Sequence, residues 1–479
     1  MTAATVGRAA MQGAAALLVR QVVIQGLNVL TGVLLARWLV PAEFGVYSLM
    51  AFVLVFLIAV GDVGLGASLI RQPEEPDLHT YRVVFTFQQI SAGVLSTALW
   101  LAAPFLTRYV HLEPAYVWLF RAVGVSLFLT SFQTIAAIRL ERELHFQKLA
   151  VAEVLQALVY NGVLIYGTAA GWGAWTFALA LTLRSLIGAM YLNLRHPWPI
   201  GWRWDPALLQ PHLAFGLPYQ GVSLVSLVKD SITPLLVGGL LGMQAVGYIN
   251  WAQTVAAYPV MALMFLQRLY LPVFARLQGD PAALRRAVER VLLLTNGVTA
   301  ILATLTLALA VPLTTLVFGS KWLSALSLLE LLWCGNLFVA TATPLLALLN
   351  ALGRSHVTFR FALVWLLATW GLGVPLILQF GTLGFALATA GVQLTNLALF
   401  RVAWQTLPFS FSRSVLPPWL IAAPLALTAG MLGRDTQSPG ALAAWFAVPL
   451  LLYVVVAVLL WPDARRWLKG RLPLPRSIL

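Results

Sequence analysis

Charge is what this sequence has least of: Asp, Glu, Lys and Arg make up 10% of 479 residues, while 60% are hydrophobic. Soluble chains average about a quarter charged. No domain folded in water could cover that much apolar surface, so lipid must be the solvent for most of it. Acidic residues are scarcer than basic ones, 16 against 30, which leaves a net charge of +14. In a soluble protein such a balance would point to nucleic acid. Here the positive-inside rule accounts for it, because cytoplasmic loops collect Lys and Arg. Cysteine is nearly absent as well. Cys334 alone excludes an intrachain disulfide and any CxxC metal or redox site, and its apolar surroundings give it the role of a small buried hydrophobe. The six histidines are scattered with no HExxH, and there is no Walker A motif, so neither a metal centre, a cofactor nor ATP hydrolysis is expected. The N-terminus has no signal-peptide pattern, and the first helix should be retained.

Apolar stretches dominate the rest. A bilayer-spanning helix needs about 20 apolar residues. Fourteen stretches qualify, at 14–38, 44–70, 82–104, 115–138, 149–170, 172–193, 212–240, 245–271, 287–312, 322–350, 357–378, 381–404, 417–433 and 440–461. No intervening segment is long enough to form an extramembrane domain. With the N-terminus inside, the even-numbered connections hold Arg71, Arg139, Arg142, Lys148, Arg195, Arg203, Arg276, Arg285, Arg286, Arg354 and Arg413. The tail adds Arg465, Arg466, Lys469, Arg471 and Arg476, whereas the other side shows Arg108, Lys321 and Arg434, plus Arg37 near a helix end. Both termini are therefore expected in the cytoplasm.

The chain also resembles itself. A shift of 202 residues lays Thr31, Leu34, Leu39 and Gly45 on Thr233, Leu236, Leu241 and Gly247. A shift of 208 lays Phe177-Ala178-Leu179-Ala180 on Phe385-Ala386-Leu387-Ala388, and Gly173 on Gly381. Two six-helix halves, 1–205 and 206–405, would then be related by an axis along the bilayer normal, with 406–479 holding two extra helices and a basic tail. Repeats of this kind are a transporter signal.

Several segments resemble a known family. Leu35-Ala36-Arg37-Trp38-Leu39-Val40-Pro41-Ala42-Glu43-Phe44-Gly45-Val46-Tyr47 is similar to the signature after helix 1 of the polysaccharide transporter family, which holds bacterial O-antigen, capsule and exopolysaccharide flippases. Gly61-Asp62-Val63-Gly64-Leu65 resembles a pattern in its second helix, Arg142–Ala150 its loop between helices 4 and 5, and Gly171-Trp172-Gly173-Ala174-Trp175 its turn into helix 6. The resemblance covers roughly residues 10–405. It implies the multidrug/oligosaccharidyl-lipid/polysaccharide superfamily fold: an all-α membrane protein with two lobes in a V around a central cavity open to one side at a time. It also implies a cargo of oligosaccharide on undecaprenyl pyrophosphate in the bacterial inner membrane. Polysaccharide polymerase and chain-length machinery are the implied partners of a monomeric transporter.

A diphosphate and sugars cannot cross hydrocarbon unaided, so their route must offer hydrogen bonds and positive charge. Gln21, Gln25 and Asn28 recur at i, i+4 and i+7 on helix 1, with Arg20 beside them. Such a face lines either a cavity or a helix–helix contact. On helix 7, Tyr219, Ser223, Ser226, Asp230 and Thr233 form a similar stripe, and Pro234 could kink the helix. Lys229 reads either as a diphosphate contact or as a charge neutralised by a neighbouring helix. It need not pair with Asp230, since adjacent side chains point about 100° apart. Asp230 and Asp62 are ion-coupling candidates, Asp62 alternatively a hydrogen-bond acceptor among Gly61, Gly64 and Gly66. Arg121 and Arg184 are further embedded cations that could bind phosphate, snorkel or pair. Glu153 and Glu330 lie near helix ends and carry no special role. Trp251 and Trp365 read as packing or belt residues before sugar platforms. Rival readings are a drug/cation antiporter of the same superfamily, disfavoured by the cationic set, and a polymerase or ligase, disfavoured by the short outward connections.

Overall fold

The computed structural model describes residues 3–261, 263–432 and 450–451. The expected fourteenth span and the basic tail lie outside them, apart from 450–451. Every regular element among the described residues is helical. In chain order they are α1 Ala3–Trp38, α2 Pro41–Asp62, α3 Leu65–Arg71, α4 Leu78–Tyr109, α5 Val117–Ser131, α6 Thr134–Arg142, α7 Phe146–Ala169, α8 Trp175–Arg195 and α9 Pro206–Asp230. A π-helical segment, Ile232–Val237, leads to α10 Gly238–Met261 and α11 Met264–Leu277. Then come α12 Pro281–Ala308, α13 Ala310–Leu313, α14 Leu326–Trp333, α15 Asn336–Ala351, α16 Ser355–Leu394, α17 Asn396–Thr406, α18 Phe411–Ser414 and α19 Leu416–Leu432. Among the described residues nine runs are long and apolar enough to cross a bilayer, or ten if Ser320–Trp333 and Asn336–Ala351, bent by 43°, make one span. The chain is an all-α polytopic membrane protein.

Local chemistry sets the boundaries. Pro41 opens α2 at a position where its missing N–H costs nothing, and the Glu43 carboxylate accepts from the Val40 N–H at 3.3 Å. That is the physical content of the Val-Pro-Ala-Glu signature. Asp205-Pro206 and Asp280-Pro281 repeat one device: each Asp accepts from the second and third residues beyond it, at 3.0 and 3.3 Å in α9 and 3.0 and 2.9 Å in α12. Asp77 caps α4, and hydrogen bonds from the Thr80 hydroxyl and N–H hold its carboxyl below the usual carboxylate range. Pro234 sits in the π-helical segment, where the widened turn accommodates its ring. Gly242 (φ 80°) breaks α10 and Gly381 (φ 60°) breaks α16, where spans 7 and 8 and spans 11 and 12 were expected to part. Gly173, the repeat mate of Gly381, also has a positive φ, 56°. Only glycine adopts these values without strain, so Gly173 and Gly381 share a left-handed backbone as well as a matching place in the sequence.

Packing divides the chain after Gly247 into two compact units. The repeat puts its boundary at 205/206 instead; α9 packs on α2, α3 and α4 and so falls in the first unit. One core of that unit joins Leu65 and Leu69 of α3, Val84 and Phe85 of α4, Ile135 and Ile138 of α6, Ala152, Leu192 and Trp198. Arg142 fastens the connection after α3, donating to the carbonyls of Leu69, Ile70, Gln72 and Glu74. In the second unit Phe274, Leu284, Val288, Leu292, Leu345, Leu348 and Leu399 form one core, and Ala300, Ala303, Trp333, Trp419 and Ala422 another.

Candidate functional site

The polar stripe of α1 meets α7. The Arg20 guanidinium pairs with the Glu153 carboxylate, and Asn28 Oδ1 accepts from Asn161 Nδ2 at 3.2 Å. Both pairs are separated by 133 residues, so the two helices run parallel and in register. This corrects the expectation for Glu153, which is the counter-charge of Arg20. The signal lay in the pairing of an embedded cation with the acid on a helix of the same direction, which spacing along one helix cannot reveal. Gln21 and Gln25 are half-buried on the same face. From the side of α7, Tyr160 extends the track: Arg184 of α8 lies over its ring at 5.4 Å, and its hydroxyl donates to that of Tyr47 at 3.4 Å. Arg20, Asn28 and Arg184 thus belong to one polar track along α1, α7 and α8.

An open cleft of about 560 Å³ lies between α2 and α9, its mostly apolar wall of Val55, Ile58, Ala59 and Leu227 interrupted by Asp62, Gln220, Ser223 and Ser226. Three of the residues expected to carry chemistry, Asp62, Ser223 and Ser226, are brought together here. The partner of α9 at this cleft is α2. Gln220, unrecognised in the sequence because the stripe was read from Tyr219, donates to the Ala59 carbonyl at 3.2 Å. Asp62 accepts from Gln88 Nε2 at 3.4 Å and from the N–H groups of Gly64 and Gly66. The carboxylate thereby caps the turn into α3, where Val63 (φ 51°) and Gly64 (φ 73°) are left-handed.

Lys229 and Asp230, which as helix neighbours need not pair, do so here: the long Lys stem bends across the angular gap. Arg121 takes part in neither polar region described above. It packs on Trp100 and Trp118. Trp251 is 2% exposed and stacks on Trp322 at 5.3 Å, which makes it a packing residue. Cys334 is exposed, not buried: it sits at the bend between α14 and α15. Among the described residues no three His, Cys, Asp or Glu side chains gather as a metal site would require.

Glycines permit two close backbone approaches. A Cβ at Gly64 would lie 2.4 Å from the Gly216 carbonyl oxygen, and one at Gly216 would lie 2.3 Å from that of Val63. At the other end of α2, a Cβ at Gly45 would fall 1.9 Å from the Met243 oxygen, and one at Gly247 would fall 1.9 Å from the Pro41 oxygen. Adding 202 to 41 and 45 gives 243 and 247, so this contact repeats itself with the partners exchanged.

Comparison with known proteins agrees with this architecture. The family described as polysaccharide biosynthesis protein matches residues 34–327, and the chain belongs to that family. It is 23% identical over 450 residues to a teichuronic acid biosynthesis protein of Bacillus subtilis, covering 87% of this chain and 89% of that one. A lipopolysaccharide biosynthesis protein of Escherichia coli is 25% identical over 419 residues, 83% of this chain and 82% of the other. Among solved structures, a lipid II flippase in an inward closed conformation superposes with a TM-score of 0.75 at 14% identity, over 95% of this chain and 100% of that one. An inward-facing multidrug transporter gives 0.63 at 15% identity, over 81% and 94%. These two likenesses speak for the fold. The protein is a multi-pass membrane protein of that family.

Proposed function

We propose that this transporter carries oligosaccharide repeat units on undecaprenyl pyrophosphate from the cytoplasmic to the periplasmic leaflet, for O-antigen, capsule or exopolysaccharide synthesis. The observation that carries the reading is the polar track of Arg20, Asn28 and Arg184 within otherwise apolar spans. Charged groups inside a membrane are costly and are retained where a polar cargo passes. The pyrophosphate oxygens would compete with Glu153 for the Arg20 guanidinium, a planar fork suited to phosphate. The sugars would meet the amides of Asn28 and Asn161, and the polyprenyl tail would stay in lipid. Asp62 and Asp230 are the candidate coupling carboxylates, with Gln21, Gln25, Ser223, Ser226 and Lys229 along the route.

The cycle would be alternating access by two repeat halves, 1–205 and 206–405, with 406–479 added to them. The exchange-symmetric contact of Gly45 with Met243 and Gly247 with Pro41 supports an axis relating the halves at that point. Counting the bent pair Ser320–Trp333 and Asn336–Ala351 as one span, dividing Ser223–Tyr258 at Gly242 and Ser355–Thr406 at Gly381, and adding Leu416–Leu432 and the stretch at 440–461, gives fourteen spans, consistent with both termini inside.

Depletion of the protein, followed by labelling of the lipid-linked sugar from outside spheroplasts, tests this function. Accumulation on the cytoplasmic face is expected. Unchanged delivery to the outer face would reject it.

A further inference from the structure

We propose that Arg121, held between Trp100 and Trp118, binds the phosphate of an anionic phospholipid in the leaflet beside the turn between α4 and α5. The proposal stands on membrane embedding alone and not on the cargo assigned above. On α5, residues 118, 121, 125 and 128 follow i, i+3, i+7 and i+10 and so share one face. Its apolar members are outward: Trp118 is 56% exposed, Val125 39% and Phe128 37%. The adjoining face of α4 is likewise outward, with Leu101 78% and Phe105 69% exposed. Arg121 is therefore a cation on a surface otherwise suited to acyl chains.

The guanidinium is fixed there. Its carbon lies 4.6 Å from the ring centroid of Trp118 and 5.0 Å from that of Trp100. The Trp100 indole N–H donates to the Arg121 carbonyl at 3.0 Å, and Ser96 Oγ donates to the Gly124 carbonyl at 2.7 Å. Gly124 leaves room for this arrangement, since a Cβ there would stand 3.1 Å from Trp100 Cδ1. Among the described residues Arg121 has no carboxylate within ion-pair distance. An uncompensated cation in hydrocarbon is strongly unfavourable, so an acceptor must come from the membrane. Seven residues separate Arg121 from Pro114, about 10 Å along the helix, which puts its tip within reach of the headgroup layer. Stacking on two indoles pre-orients the fork, and a phosphate diester supplies the matching oxygens.

Native mass spectrometry of the purified full-length protein, titrated with phosphatidylglycerol, phosphatidylcholine or inorganic phosphate, tests this. Retention of phosphatidylglycerol at least threefold above phosphatidylcholine is expected, with inorganic phosphate unable to displace it. Arg121→Gln should abolish the preference, and Arg121→Lys, which keeps the charge and guards against misfolding, should weaken it. Equal retention of the two lipids, an unchanged preference in Arg121→Gln, displacement by free phosphate, or a dimer that Arg121→Gln dissociates would each overturn the proposal.

Discussion

The two packing units differ in the polar contacts that join their helices. In the first, the membrane helices carry charge: Arg20 with Glu153, Lys229 with Asp230, Arg184 over Tyr160, and Asp62 against Gln88. In the second, besides the Arg285–Glu289 pair near the start of α12, neutral side chains join buried faces of α12, α14, α15 and α19. Asn296 Oδ1 accepts from Thr341 Oγ1 at 3.1 Å and from Trp419 Nε1 at 2.8 Å, Thr304 Oγ1 donates to the Ala422 carbonyl at 3.3 Å, and Trp333 Nε1 donates to the Ala303 carbonyl at 2.7 Å. Neutral networks of this sort hold helices together. Ion pairs with one partly exposed partner, such as Arg20 and Glu153 at 17% and 35%, can also be opened by a competing anion. Under the function proposed above, an anionic cargo would meet the charged pairs before Gly247, while α12, α15 and α19 beyond it are fastened by side chains that need not change partners.

The largest effects should come from the glycine contact inside the first unit. Gly45→Ala and Gly247→Ala each place a methyl inside a carbonyl contact, and overpacking of that kind costs about 3 kcal/mol. Because the contact exchanges its partners, the two single variants should impair export to the same degree, at least tenfold by external labelling at matched protein level. Unequal losses would break the symmetry argument. Next in size is Arg20→Ala, expected to reduce export about tenfold, equivalent to about 1.4 kcal/mol. Glu153→Gln should be milder, because it frees the guanidinium for the cargo. Export equal to wild type in Arg20→Ala would return the polar track to a packing role and erase the distinction between the units.

Much of this architecture can be read from letters alone, and the reasons it stops are physical. Span positions follow from hydropathy, because lipid admits few alternatives to a helix. The breaks at Gly242 and Gly381 follow from glycine at the expected ends of spans. The Asp-Pro pairs at 205–206 and 280–281 announce helix starts. Within one helix, spacing identifies a polar face but not what it meets. The stripe on α1 was legible; its engagement of Glu153 and Asn161 on α7 was not. Similarly, Asp62 and Ser223 were each recognisable, yet their shared cavity depends on how α2 and α9 cross. Lys229 and Asp230 mislead by adjacency, since angular separation on a helix says little about a four-carbon stem.

Asn296→Ala probes the neutral side of the contrast. It leaves the Thr341 hydroxyl and the Trp419 indole without their shared acceptor and should lower stability by about 1 kcal/mol. Thermal unfolding in detergent should register the loss, while export per folded molecule stays at the wild-type level. A tenfold export defect with unchanged stability would place cargo chemistry in the second unit too.

The smallest differences belong to the helix caps, which both units use alike. Asp205→Ala and Asp280→Ala each remove an acceptor for two N–H groups and should cost about 1 kcal/mol, with the same value in either unit. Asp77 adds a pH dependence whose sign is fixed by its depressed pKa. The folded state favours the carboxylate, so the cap stabilises above the unfolded pKa of about 3.9 and the stabilisation is lost as pH falls through the lower, folded value. Unfolding profiles of the wild type and Asp77→Ala should therefore differ near neutral pH and converge in acid. A gap that persisted into acid would assign the effect of Asp77 to packing. A cap worth several-fold more in one unit than the other would mean that the units differ in backbone stability as well as in where they keep their charge.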